Sequence, residues 1–94
     1  MRIYYSDHIT TRLNLRSIEH DLPQKIFAEA DERYFDNDTG HLIAVMKISL
    51  YNKIREVMVA YSIEQDCATL LTIHPLKEGQ KESRINTGRW RKME

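Results

Sequence analysis

The stretch TIHPLKEGQKESRINTGRW, Thr72 to Trp90, joins a titratable side chain to a group of cations and an aromatic ring. His74 ends an apolar run, and a strand end that meets a loop is a rigid place from which a side chain reaches solvent. Imidazole titrates at about pH 6.5, so it can give or take a proton at cellular pH. Lys81, Arg84, Arg89, Arg91 and Lys92 follow, with Trp90 among them, and Asn86-Thr87-Gly88 supplies a turn whose amides can face an anion. Cations that neutralise phosphates, beside a ring that stacks a base, are the parts of a single-stranded nucleic-acid site. Lys47 and Arg55 can add charge to the same surface. The residues also admit a plainer reading: a structural histidine, then a solvated segment whose Trp90 packs on a sheet edge. Near the start, His8 and Arg12 lie four residues apart and share one helical stripe.

These groups need a scaffold, and the hydrophobic pattern supplies one. Ile3 to Tyr5 is β-prone, and Ser6 caps a helix from Asp7 to about Arg16 with Ile9 and Leu13 on its inner side. Asp21 with Gln24 resembles a capping box, Pro23 suits the first helical position, and Leu22, Ile26, Phe27 and Ala30 form the buried side of a second helix. After Tyr34 and Phe35, Asn37-Asp38-Thr39-Gly40 reads as a hairpin turn. His41 to Tyr51 and Arg55 to Ile63 alternate with the period of strands. Gln65-Asp66 is a tight turn. Cys67 to Ile73 is almost continuously apolar, as for a central strand covered on both faces, and Pro75 stops it. The order β-α-α-β-β-β-β, with a polar C-terminal segment, predicts one α+β domain over residues 1–94. Two N-terminal helices pack on one face of an antiparallel sheet, and the opposite face is left for another partner.

Fourteen basic and fourteen acidic residues cancel, so the total charge points to no polyanionic partner. The distribution is uneven: residues 1–66 hold 8 basic and 11 acidic side chains, residues 67–94 hold 6 and 3. Lone Cys67 sits in an apolar run, as in a protein of a reducing compartment, and cytoplasm is the expected location. No apolar stretch reaches signal or membrane-spanning length, so no membrane association is expected. His8, His20, His41 and His74 lie far apart with a single Cys, which gives no zinc spacing, and no cofactor is implied. Asp38-Thr39-Gly40 lies in a polar turn without a second copy, unlike the paired carboxylates of an aspartic protease. With glycines only at 40, 79 and 88, the chain has no phosphate-cradling loop of a nucleotide hydrolase.

Taken together, the element order and these residues resemble the small RNases and toxins of the RelE, barnase, EndoU and colicin-type superfamily. More narrowly, SDHITTRLNLR followed by a β-meander ending LLTIHPL resembles a family of small prokaryotic domains of uncharacterised function. Their pattern is His, Arg four residues on, and a sheet ending in a "vitvyp"-like strand. The resemblance implies a RelE-like fold and RNA cleavage without a metal, by attack of a ribose 2′-hydroxyl on the adjacent phosphate. It implies a proton-transfer role for His74, and for His8 with Arg12 the second acid or base and a phosphate clamp. On this resemblance Arg84 and Arg89 would stabilise charge on the phosphorane and Trp90 would stack a base, while Lys81 and Arg91 of the basic patch are expected to add phosphate contacts. RNA and an antitoxin protein are the implied partners. The chain departs from such toxins in being neutral rather than strongly basic. The alternative is a non-catalytic binding or dimerising domain of the same fold, including a homodimer.

Overall fold

The computed structural model describes residues 1–93. Strand β1 (Arg2–Tyr5) leads into helices α1 (Asp7–Arg16) and α2 (Leu22–Glu29). Strands β2 (Glu32–Asp36), β3 (Leu42–Leu50), β4 (Lys53–Glu64) and β5 (Cys67–Pro75) follow, then helix α3 (Gln80–Asn86) and strand β6 (Trp90–Lys92). The predicted α+β order therefore holds through β5, and the polar C-terminal segment adds a helix and a strand.

The six strands form one sheet in the order β1-β5-β4-β3-β2-β6. β2 to β5 make the expected antiparallel meander. The sheet as a whole is mixed rather than antiparallel, because β1 pairs with β5 in parallel. No helix is long and apolar enough to cross a membrane.

Local chemistry explains the elements. The Ser6 hydroxyl accepts the Ile9 amide at the start of α1, whose Ile9 and Leu13 are buried. At α2 the capping box does not form. Asp21 makes no capping bond, and the Gln24 amide donates instead to the Tyr5 hydroxyl at 3.2 Å. The β3–β4 turn places Tyr51 and Asn52 at φ 56° and 61°, a two-residue hairpin matched to strand twist.

Two apolar clusters lie on opposite faces of the sheet. On one, Ile9, Leu13 and Ile26 of the helices pack on Val57, Val59, Leu70 and Ile73. On the other, Leu76 and Trp90 of the C-terminal segment cover Tyr34, Ile43, Val45, Met58 and Ala60. So the second face is closed in part by the chain's own last residues.

A bulge in β5 decides which groups reach that second face. Tyr61 pairs with Leu70 and Ala60 with Thr72, leaving Leu71 as an extra residue. Without it, Thr72 and His74 would share the side of Leu70 and point under the helices. With it, Ile73 takes the helix side, while Thr72 and His74, opposite Ala60 and Met58, turn to the other face.

Candidate functional site

α1 runs along the part of β5 that β1 is too short to cover. Ser6 donates its amide to the Leu70 carbonyl at 3.0 Å and its hydroxyl to the Leu71 carbonyl at 2.8 Å. Farther along α1, Arg12 Nε donates to the Ile73 carbonyl at 2.7 Å. His8 Nε2 lies 3.2 Å from Thr72 Oγ1. The stripe His8–Arg12 thus meets the end of the strand that carries His74.

From the far side of the sheet comes α3, held by charge. Lys81 Nζ bonds Glu56 and, at 3.0 Å, Glu32, and Tyr34 donates to the same Glu32 carboxylate at 2.8 Å. The Glu56 bond first, with Glu32 adding to it against burial, raises the Lys81 pKa. Burial and the Glu32 bond push the Tyr34 hydroxyl up to about 12. Arg89 grips Asp36, 3 % exposed, through Nε at 3.1 Å and Nη2 at 3.2 Å, and its Nε also lies 3.3 Å from Asp38. Trp90, 1 % exposed, stacks on Tyr34 with ring centroids 5.5 Å apart, and the Arg84 guanidinium lies 5.2 Å from the centre of its ring. The indole Nε1 is buried without a hydrogen-bond partner among the described residues.

His74 sits between these two walls, half-buried. Its pKa falls below the ordinary histidine value because burial disfavours the cation, and the positive fields of Arg12, Arg84 and Arg16 add to that against the Pro75 carbonyl. The ring Nδ1 approaches the Pro75 carbonyl at 3.4 Å, and in the tautomer that donates there Nε2 keeps a lone pair for an incoming proton. None of the three arginines is in an ion pair among the described residues. The arrangement is a neutral imidazole among unneutralised guanidiniums, which suits an anion that must lose a neighbouring proton.

Of the residues singled out in the sequence, His8 and Arg12 meet β5 at Thr72 and Ile73, next to His74, and the positive fields of Arg12 and Arg84 reach His74. The others take different places. Lys81 and Arg89 are neutralised by carboxylates, so they hold the wall rather than face a ligand. Trp90 is core, its ring covered by Tyr34 and Arg84, which corrects the expectation that it stacks a base. Arg91 lies 5.3 Å over the Phe35 ring, on the helix face of the sheet, away from His74. Sequence reading missed Thr72 and Arg16. Arg16 had a signal, since His8, Arg12 and Arg16 repeat every fourth residue, but Thr72 depends on the bulge.

A cavity of about 650 Å³ lies elsewhere, between the α1–α2 junction and the β3–β4 hairpin. Its lining of Glu19, Asp21, Lys25 and Lys47 mixes both signs of charge, and none of the convergent groups faces it. Volume alone does not mark chemistry, and the site is placed at β5. Comparison with protein-family models, with curated proteins and with solved structures gives no match.

Proposed function

We propose that the chain is a small cytoplasmic endoribonuclease of the toxin-like kind, cleaving single-stranded RNA without a metal. The observation that supports it is His74, held toward its neutral form among Arg12, Arg16 and Arg84, with His8 beside it on Thr72. In the proposed reaction His74 Nε2 takes the proton of a ribose 2′-hydroxyl as the oxygen bonds to the adjacent phosphorus. The bond from phosphorus to the 5′-oxygen breaks, and His8 in its protonated form delivers a proton to that oxygen. The products are a 2′,3′-cyclic phosphate and a free 5′-hydroxyl. Arg12 and Arg84 stabilise the charge that grows on the phosphorane, and a guanidinium fork suits two phosphate oxygens at once. A protein partner of the antitoxin kind, in this proposal, covers the open part of the same sheet face.

The second reading is a non-catalytic binding or dimerising domain. It is favoured by the use of Lys81, Arg89 and Trp90 to secure the C-terminal segment. Cleavage of a labelled single-stranded RNA in the presence of chelator separates the two. Wild type should cut, and His74→Ala should cut at least about a hundredfold more slowly. Binding without cleavage by wild type favours the second reading.

A further inference from the structure

With Trp90 buried, the site lacks the stacking ring that a single strand needs, and β1 offers one. Ile3 and Tyr5 pack on the helix-side cluster, so Tyr4 between them projects from the opposite face, that of His74. It pairs with Thr69, which pairs with Ser62, and both of those side chains are half-buried on the open part of that face. Tyr4 is 49 % exposed. The other large exposed aromatic, Tyr51, is at the β3–β4 tip with its hydroxyl bonded to the Arg16 carbonyl, so it is not placed to serve this face. Across the bulge, Thr69 and Thr72 stand opposite Ser62 and Ala60, two residues apart on β4 and so about 7 Å at the rise of a strand.

We infer that Tyr4 is the platform on which the base next to the reacting phosphate stacks, so the substrate is a short unpaired segment of RNA crossing from α3 to β1. This rests on the RNA-cleaving reading of the His74 site. Beyond Tyr4 the charges of the face balance, and the N-terminal ammonium lies 3.9 Å from Asp66. Glu64 stands opposite Cys67 at the end of β4, Arg2 pairs with Cys67, and Asp66 fills the turn beside them. Further phosphates gain nothing there, and recognition ends at the base on Tyr4. A flat aromatic surface tolerates any base, so the site selects for strandedness rather than sequence.

The test pairs a cleavable RNA with its 2′-deoxy analogue, which binds but cannot cyclise. Tyr4→Leu keeps an apolar side chain without a π face, and Tyr4→Phe keeps the face without the hydroxyl. Expected is a loss of about tenfold in affinity of Tyr4→Leu for the deoxy analogue, with Tyr4→Phe within about twofold of wild type. An abasic residue beside the reacting phosphate should weaken wild type by a like factor and Tyr4→Leu no further, which a merely structural role of Tyr4 would not produce. Wild-type cleavage with unchanged binding by Tyr4→Leu overturns this inference and leaves the His74 reading intact. Absence of both cleavage and binding by wild type overturns both. Trp90 emission, from the chain's single tryptophan, checks that each variant keeps its fold.

Discussion

Arg12 serves two ends with one side chain. Its Nε closes the free carbonyl of Ile73, fixing the guanidinium against β5, while its terminal nitrogens remain for an anion. The charge so fixed acts on His74, and the effect can be read by titration. Each cation opposes protonation of the imidazole, so its removal makes protonation easier and moves the pKa up toward the ordinary value. Arg12→Gln should give the largest rise, Arg84→Gln a smaller one and Arg16→Gln the smallest, following the order in which these charges act. The acid limb of kcat/KM moves to higher pH in the same order, and the His74 ring resonances report it without any substrate. An unchanged titration in Arg12→Gln would remove the electrostatic part of the argument. Stability follows with its own sign. The unfolded chain binds the His74 proton more readily, so this contribution is present above about pH 6.5 and is lost as pH falls through the lower folded value.

At the level of elements, the bulge at Leu71 and the lock on α3 do the positioning, and they were the parts least legible beforehand. Alternation marked β3 and β4, a continuous apolar run β5, β-prone residues β1, and start signals with an apolar side α1 and α2. Nothing in the residues around Leu71 announces a bulge, because it arises from pairing with β4. The lock was hidden for a similar reason: Lys81 looks like a solvated cation until the fold brings Glu32 and Glu56 to it from other strands. Lys81→Met should leave those carboxylates facing each other, loosen α3 and shift Trp90 emission to the red. The ions keep some water, so the expected loss is about 1–2 kcal/mol, read from denaturant midpoints. The lock also has a pH window. Although burial opposes it, the Lys81 bond keeps Glu32 below the usual carboxylate range, and Arg89 does the same for Asp36. Depressed carboxylates stabilise above their unfolded values and lose that as pH falls through the folded ones; raised Lys81 stabilises below its unfolded value and loses that as pH climbs through the folded one. Wild-type Trp90 emission should therefore hold steady across neutral pH and shift red below about pH 4. A shift already complete near neutrality would contradict the assignment of the lock to these ion pairs.

Over the whole molecule the charges cancel, yet they are not evenly used. Among the six cations of residues 67–94, Lys81 and Arg89 are neutralised, Arg91 lies over Phe35 on the helix face, Lys92 pairs with Tyr34 in β6 and Lys77 lies exposed after β5, so from the basic C-terminal third it is Arg84 that joins the cationic spot at His74. That spot draws on both ends of the chain: Arg12 and Arg16 come from a segment with an acidic balance. A count by segments could not have located it, because the sheet brings α1 and α3 to one strand end. The consequence for binding is quantitative. A broadly basic protein contacts many phosphates and loses affinity steeply with salt, whereas Arg12, Arg16 and Arg84 can engage about two or three. For a single strand each such contact contributes a slope of about −0.7 in log affinity against log salt, so the expected slope is about −1.4 to −2.1. Titrating the 2′-deoxy oligonucleotide at several salt concentrations measures it. Arg12→Gln and Arg84→Gln should each make the slope shallower by about 0.7, while Arg91→Gln, on the other face, should leave it unchanged. A wild-type slope much steeper than this, or one that Arg91→Gln reduces, would mean that RNA is held by a wider surface than the end of β5.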